Sequence, residues 1–274
     1  MSNSPSDHHL GADTFDAYKP AEMAKRVEAA GVAKARMALI PTFTLAILAG
    51  GFIAFGAMFY TLSVTGSDLG FGPTRVLGGA VFSLGLILVI VGGAELFTGN
   101  NLIVMAWASG DVSMASLMRN WALVYAGNMV GSLGAVALVA LSGTLFIGGG
   151  DVAVTALKIA AGKTQLPFFE ALIRGVLCNT LVCLAVWLAF AAHTVPGKVM
   201  AVIFPVTAFV ALGFEHSVAN MYLIPVGFVA AQDVATVTTS GLTTEALSTL
   251  TPAGFMANLI PVTIGNILGG SVLV

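Results

Sequence analysis

Six apolar runs of more than twenty residues each constrain how this chain of 274 residues can fold. About twenty consecutive apolar residues are enough for a helix to cross the hydrocarbon core of a bilayer. Only 9% of the residues are charged, against about 25% in soluble domains, so charge cannot cover a soluble fold. We predict an all-α membrane protein with six transmembrane helices, at Pro41–Val64, Thr74–Ala108, Ser116–Phe146, Leu166–Ala192, Lys198–Ala230 and Pro252–Val274.

The charge and the cysteine spacing of the chain argue against several classes of partner and site. The formal net charge is -2, and no basic patch is present to neutralise phosphates, so we expect the lipid bilayer and no nucleic acid as partner. Cys178 and Cys183 are five residues apart within one apolar run. That spacing puts them on different faces of a helix, which argues against a disulfide or a metal site. We predict no cofactor and no metal.

Polar residues interrupt the second and fifth runs, which at 35 and 33 residues exceed the length of one crossing. The interruptions read "GGAELFTGNN" at 92–101 and "GFEHSVAN" at 213–220. Broken helices are tolerated in a membrane where the freed backbone faces protein or a water-filled cavity. We therefore expect the second and fifth helices to be broken around a cavity.

The two halves of the chain repeat one another. At an offset of 120, Gly93, Glu95, Gly99 and Asn100 match Gly213, Glu215, Ala219 and Asn220. "NWALVYAGNMVG" (120–131) matches "NLIPVTIGNILG" (258–269) at an offset of 138, and the first and fourth spans agree more weakly, with Phe43, Ala46 and Gly50 matching Phe168, Ala171 and Gly175. Chance similarity would explain the weak pair, but not a match that coincides with both breaks. Three spans per half make the repeat inverted, which is typical of transporters with a solute site near the midplane.

This organisation divides the chain into four parts. We predict a cytoplasmic N-terminal segment (1–40), a first three-helix repeat (41–146), a periplasmic loop (147–165) and a second repeat (166–274) whose sixth helix is truncated at Val274. With six crossings, seven Lys and Arg residues lie on the side of the N-terminus and three on the other, which indicates a cytoplasmic N-terminus. Arg174 remains inside the fourth span, where Glu170 can pair with it along one helix face.

The N-terminal segment contains one predicted amphipathic helix within 19–36, where Met23, Val27 and Ala30 recur at helical intervals. Two interpretations stay open. The helix either packs on its own protein or lies along the membrane surface.

The stretches "FSLGLILVIVGGAELFTGNN", "GFEHSVANM" and "NLIPVTIGNILGG" resemble the signature segments of the formate–nitrite transporter family, most closely its formate channel branch. The resemblance extends from about Phe15 to the end. It implies an aquaporin-like fold of six helices, a homopentamer with one pore per protomer, and a bacterial inner membrane location. Residue by residue, it implies that His216 is the central pore histidine and that Thr98 is its hydrogen-bonding counterpart.

The same resemblance implies roles for eight further residues. Phe82, Leu86 and Phe97 match one apolar constriction, and Val182 and Phe209 match positions that line another. Lys163 matches a basic residue of the periplasmic vestibule, and Asn220 and Asn266 match polar residues that bind the broken loops or approach the pore. Glu215 has two open interpretations: it binds backbone N–H groups freed by the break, or it tunes the basicity of His216.

A mechanism follows from these assignments. Ionisable groups inside a membrane are costly and usually mark a solute or proton path, and imidazole can exchange a proton near neutral pH. We expect Lys163 to concentrate anions, and Thr98 and His216 to hydrogen-bond the anion between apolar rings, where His216 can supply a proton.

Other substrates and other functions are alternatives to this one. Nitrite, hydrosulfide and acetate are alternative anions, since "ELFTG" (95–99) also resembles the nitrite branch. An aquaporin-like channel for neutral solutes would fit the fold, but the two Asn-Pro-Ala turns of such channels are absent from the sequence. An intramembrane hydrolase would need a nucleophile–base pair or metal ligands. No His-Glu-x-x-His or Gly-x-Ser-x-Gly motif is present, so we predict that the chain is not an enzyme.

Overall fold

The computed structural model describes residues 17–274, so the first sixteen residues of the predicted N-terminal segment lie outside the described part. The described part is helical, with twelve α-helices and two short 3-10 turns at 99–103 and 144–150. The α-helices are α1 (Pro20–Arg36), α2 (Leu39–Val64), α3 (Phe71–Gly92), α4 (Val104–Ala108), α5 (Met114–Ser142), α6 (Asp151–Thr164), α7 (Phe168–Ala191), α8 (Val195–Ala211), α9 (Ser217–Ala230), α10 (Val234–Ser240), α11 (Thr244–Ser248) and α12 (Pro252–Val272).

Four of the predicted spans correspond to single long helices, α2, α5, α7 and α12, and the other two are broken as expected. The second span is α3, a break at 93–98, and then the 3-10 turn and α4. The fifth span is α8 and α9, separated by a break at 212–216. Six helices of the described chain are long and apolar enough to cross a membrane by length and composition.

The segment predicted as a loop, 147–165, is mostly helical in the structure. All but its last residue fall within 144–164, one of those six helical stretches. Most of that segment is α6, a helix of 14 residues that packs on α9 through buried Val152, Ala156 and Ala160. Backbone angles at 147–149 are not helical, so the continuous helix starts only at Asp151. At about 1.5 Å per residue, α6 is about 21 Å long and too short to span a core of about 30 Å.

Glycines hold the helices of each half together at close range. A Cβ on Gly131 of α5 would lie 1.9 Å from the Ile47 carbonyl oxygen of α2, and one on Gly269 of α12 would lie 2.1 Å from that of Val176 in α7. The small-residue motif of the third and sixth spans therefore serves packing within each half, α5 on α2 and α12 on α7.

These contacts also correct the alignment of the first and fourth spans. Ile47 and Val176 occupy equivalent places, which gives an offset of 129. The predicted match of Phe43, Ala46 and Gly50 with Phe168, Ala171 and Gly175 uses an offset of 125 and is wrong by about one helical turn. Apolar helices with small residues four apart look alike after a shift of one turn, so sequence alone could not fix the register.

The N-terminal helix α1 packs on the protein, as one of its two interpretations requires. Its buried stripe is Met23, Val27, Gly31 and Ala35, which continues the predicted spacing of Met23 and Val27 but passes beside Ala30. Gly31 fits against Ala106 and Ile103, which follow the first break. The helix thereby carries Lys34 to the broken second span. The predicted pairing of Glu170 with Arg174 is also confirmed.

Candidate functional site

The two breaks are built alike. Each preceding helix, α3 or α8, is followed by a glycine in the left-handed region, Gly93 at φ +73° and Gly213 at φ +74°. Glycine adopts this conformation without the steric cost that a Cβ imposes. The chain then turns sharply and presents a glutamate two residues later, Glu95 or Glu215.

A lysine and an asparagine bind each of these glutamates. Lys34 Nζ lies 2.5 Å from an Oε of Glu95, whose other Oε accepts from Asn100 Nδ2 at 2.7 Å. In the second half, Lys163 Nζ lies 2.8 Å from Glu215 Oε1, and Asn220 Nδ2 donates to Oε2 at 2.6 Å. Both carboxylates are buried, so the lysine supplies the counter-charge that a buried carboxylate needs.

The Glu215 contacts decide between its two open interpretations only in part. Its side chain binds Lys163 and Asn220, and the described residues give it no bond to a freed backbone N–H or to the His216 ring. Its backbone is held by Asn266, whose Nδ2 donates to the Glu215 carbonyl at 3.0 Å. Glu215 therefore fixes the loop through bonds to neighbouring side chains.

A second asparagine in each half ties the break to a neighbouring helix. Asn266 Nδ2 also donates to the Gly175 carbonyl of α7 at 2.8 Å, and its Oδ1 accepts from the Ser217 N–H at 2.9 Å. Asn128 does the same for the first break, with bonds to the Ala46 carbonyl, the Glu95 carbonyl and the Phe97 N–H. Backbone groups freed by each break thus find partners inside the protein, as a membrane requires.

His216 and Thr98 meet where the two breaks approach each other. Thr98 Oγ1 lies 2.9 Å from His216 Nε2, and both side chains are buried, at 0% and 3% exposure. The other ring nitrogen, Nδ1, accepts the backbone N–H of Ala219 at 3.0 Å, which makes His216 the N-cap of α9. Because Nδ1 is occupied as an acceptor, the neutral imidazole carries its proton on Nε2 and donates to Thr98.

Two cavities approach this pair from opposite ends. The first, of about 270 Å³, is lined by Lys163, His216, Phe82 and Phe209, and we call it the Lys163 vestibule. The second, of about 280 Å³, is lined by Lys34, Leu86, Gly99 and residues 93–96, and we call it the Lys34 vestibule. They face opposite ends because the two halves of an inverted repeat run in opposite directions.

The apolar side chains near the pair are grouped differently from the prediction. Phe82 contacts Phe209, with ring centroids 5.8 Å apart, and Phe209 stacks on the His216 ring at 5.9 Å. Leu86, one turn further along α3, faces the Lys34 vestibule. Of the expected ring of Phe82, Leu86 and Phe97, Phe82 therefore lines the Lys163 vestibule and Leu86 the Lys34 vestibule.

Phe97 and Val182 lie away from both cavity linings. Phe97 packs edge-on against Tyr125 at 4.9 Å and Trp121 at 6.2 Å, and lines a separate apolar cavity between α5 and α12. Val182 of α7 is buried in the same hydrophobic core as Phe82 and Phe209. The structure thus brings together His216, Thr98, Phe82 and Phe209, and connects Lys163, Asn220 and Asn266 to them through Glu215 and its loop.

Sequence reasoning missed Lys34 as a site residue. Lys34 precedes Lys163 by 129 residues, the offset that relates α2 to α7, so the corrected alignment would have revealed it. Asn120 and Asn258 were missed as well. Asn120 Oδ1 accepts from Asn100 and its Nδ2 donates to the Lys34 carbonyl, while Asn258 makes the same pair of bonds with Asn220 and Lys163.

The fold and the site together define a multi-pass membrane channel or transporter with a buried polar pair between two cation-lined vestibules. Comparison with known proteins makes the class specific. The family model described as "Formate/nitrite transporter" matches residues 21–274. The chain belongs to the formate/nitrite transporter family.

Relatives within that family include channels of known substrate. The chain is 46% identical over 265 residues to the formate channel FocA of Escherichia coli K12, which covers 95% of this chain and 93% of that protein. It is 38% identical over 268 residues to FocA of Haemophilus influenzae, with coverage of 94% and 92%.

Solved structures agree with the architecture. A pentameric formate channel with formate bound superposes with a TM-score of 0.80 at 41% identity, over 86% of this chain and 94% of that one. An ion channel of the FNT family gives the same TM-score at 28% identity, over 92% and 96%. The predicted family and the predicted inverted-repeat fold with broken helices are confirmed.

Proposed function

We propose that this chain is a channel for formate and related small monovalent anions of weak acids. The observation that carries the proposal is the hydrogen bond between Thr98 and His216, buried between the Lys163 and Lys34 vestibules. Two relatives are named formate channels, and one similar structure has formate bound. A small carboxylate fits a site that offers one imidazole N–H and one hydroxyl as donors.

In the resting arrangement His216 donates from Nε2 and the Thr98 hydroxyl oxygen accepts. An anion at the pair replaces the bond between them with two bonds to its own oxygens, from Nε2–H and from the threonine O–H. Such charge-assisted bonds are roughly twice as strong as neutral ones. They offset part of the cost of removing the anion from water.

Proton transfer to the anion requires a second proton on His216. A neutral imidazole that gave up its Nε2 proton would become an imidazolate, which is far too basic to form at neutral pH. The imidazolium carries protons on both nitrogens, so it must release the Ala219 N–H from Nδ1. Transfer of the Nε2 proton from the imidazolium to formate leaves formic acid and a neutral histidine that keeps its proton on Nδ1. A solvent proton taken up at Nε2 regenerates the imidazolium, and release of the Nδ1 proton to solvent restores the bond from the Ala219 N–H.

The apolar side chains around the pair favour the neutral acid over the ion. Phe82 and Phe209 cover the pair toward the Lys163 vestibule, and Leu86 lies on the other side. In this proposal Val182 and Phe97 support the apolar walls from behind. Asn220, Asn266 and Glu215 hold the loop that carries His216, and Lys163 neutralises the glutamate.

The assembly and location follow the relatives. We infer a homopentamer in a bacterial inner membrane with a cytoplasmic N-terminus, and transport without a chemical reaction on the anion other than proton exchange. The similar solved structure is a pentameric channel, and the excess of Lys and Arg lies on the N-terminal side. The Lys163 vestibule then opens to the periplasm.

Nitrite is the second candidate, because the matching family model is described for both formate and nitrite. Competitive flux in proteoliposomes from pH 4 to 8, with formate, nitrite, acetate and hydrosulfide, ranks the anions. We expect formate to pass fastest and glycerol to pass no faster than through empty liposomes. Glycerol swelling without formate flux would replace this proposal by a neutral-solute channel.

A further inference from the structure

Two arginines hold the end of α8, next to the break that carries His216. Arg75 of α3 donates from Nε to the Ala211 carbonyl and from a terminal nitrogen to the Val210 carbonyl, both at 2.9 Å. Arg174 of α7 donates to the Gly213 carbonyl at 3.2 Å. The last carbonyls of a helix lack helical partners and carry partial negative charge, so cations are favourable there.

The equivalent end of α3 has no such arginines. The offset of 120 places Val195 where Arg75 would be, and the offset of 129 places Leu45 where Arg174 would be. Within residues 17–274, no lysine or arginine side chain donates to the carbonyls of 89–93. The arginines therefore belong to one vestibule only and do not follow from the repeat.

The charges of the Lys163 vestibule are unequally compensated. Four cations line it: Arg75, Lys158, Lys163 and Arg174. Lys163 is paired with Glu215, and Arg174 is paired with Glu170. Lys158 is exposed, where solvent screens its charge. Arg75 is half-buried, and within residues 17–274 it binds backbone carbonyls and no carboxylate, so its charge faces the cavity uncompensated by that part of the chain.

Arg75 is also well placed relative to the constriction. It precedes Phe82 on α3 by seven residues, two helical turns, which puts both on one face about 10 Å apart along the axis. Phe82 contacts Phe209, and Phe209 stacks on His216. A positive charge thus stands about two turns outside the apolar contact that precedes the polar pair.

We propose that Arg75 recruits the anion into the Lys163 vestibule, and that the carbonyls of Val210 and Ala211 orient its guanidinium for that role. The ligand class is a small monovalent carboxylate or an anion of similar size. A focused positive potential raises the local concentration of such an anion before it reaches the constriction. This inference rests on the proposed function. Because the ion pair with Glu215 neutralises Lys163, Arg75 supplies the positive charge that attracts the anion.

The test measures initial formate entry as a function of concentration in membrane vesicles of each orientation. R75Q removes the charge, whereas R75K keeps it but cannot bridge two carbonyls. R119Q is the matched control, because Arg119 also donates to a backbone carbonyl, that of Met37, away from both vestibules.

We expect R75Q to raise the half-saturating formate concentration about three- to tenfold for entry through the Lys163 vestibule, as expected for loss of one unit charge at about 10 Å. The maximal rate and entry from the other face should stay within about twofold, and higher ionic strength should shrink the difference. R75K and R119Q should resemble the parent protein.

Other results overturn the inference. Equal losses of maximal rate from both faces in R75Q and R75K would mean that Arg75 only holds the helix end, and an unchanged R75Q would exclude recruitment. If R75Q does not assemble, R75K is the deciding variant. The proposal then requires that R75K have the same half-saturating formate concentration as the parent protein. Failure of the parent protein to pass formate would instead reject the proposed function.

Discussion

Nδ1 of His216 accepts the backbone N–H of Ala219 at 3.0 Å, so the imidazole that meets Thr98 is also the N-cap of α9. One side chain thereby serves both the pore and the start of a helix. A substitution at His216 must preserve the capping acceptor if its effect on transport is to be interpretable.

Asparagine meets that requirement. Its Oδ1 can accept the Ala219 N–H, since Asn is among the preferred N-cap residues, and its amide N–H can still donate toward Thr98. H216N should assemble normally and still pass formate, but the rise in flux from pH 7 to pH 5 should disappear because the amide cannot carry a proton. H193N is the control, since His193 stacks on Tyr18 outside both vestibules. Parallel pH profiles of H216N and the parent protein, after subtraction of empty liposomes, would reject the proton role.

The hydroxyl of Thr98 can be tested without changing shape. T98V keeps the branched side chain but leaves one donor fewer for the anion, and a lost charge-assisted bond costs about 1.5–3 kcal/mol. We expect flux to fall about tenfold or more, and T98S to retain most of it. Similar fluxes in T98V and the parent protein would show that the hydroxyl serves only the loop.

Gly131 and Gly134 form a matched pair on α5. A Cβ at Gly131 would lie 1.9 Å from the Ile47 carbonyl oxygen, whereas one at Gly134 meets nothing within 4 Å. G131A should push α2 and α5 apart and abolish assembly or lower the melting temperature strongly. G134A should leave it unchanged or raise it slightly, because Ala in a helix interior is more favourable than Gly by about 0.5–1 kcal/mol. Thermal unfolding in detergent, followed by size-exclusion chromatography, distinguishes them.

The ion pair of Lys163 with Glu215 should appear as a coupling free energy between the two residues in a double-mutant cycle of stability. Its side chains are 15% and 4% exposed, and removing one partner of a buried pair leaves a charge uncompensated, at a cost of about 3–5 kcal/mol. We expect K163M and E215Q each to lower thermal stability, and the double variant to be more stable than the sum of the single effects implies. Strict additivity in this double-mutant cycle would mean that the pair contributes nothing to holding the second break.

Sequence patterns predicted the positions of the two breaks better than the residues and helices that surround them. The two breaks followed from polar interruptions at a constant offset, because a broken helix in a membrane has few permitted surroundings. The pairing of Thr98 with His216 was implied by the family resemblance. The ion pair of Lys34 with Glu95 could not be read in the same way, since 61 residues separate the partners. Helix α6 was mistaken for a loop because Gly148, Gly149 and Gly150 precede it and Lys158 and Lys163 interrupt its apolar pattern.

The apolar walls were the least predictable part. Phe82 and Leu86 stand one turn apart and face different cavities, a division that depends on the tilt of α3 against α8. Phe97 packs against Tyr125 and Trp121. It lies in an irregular loop, where no periodicity predicts the direction of a side chain. Arg75 entered the sequence reasoning only as a charge that indicates topology. Its bonds to α8 require the two helices to be in contact.

Because Asn128 and Asn266 make equivalent bonds in the two halves, a variant in one half can serve as the control for the same variant in the other. The same replacement made once in each half removes the same three bonds, so structural damage is common to both variants. Whatever distinguishes their conductance belongs to the features that the halves do not share, chiefly one imidazole and two guanidinium groups.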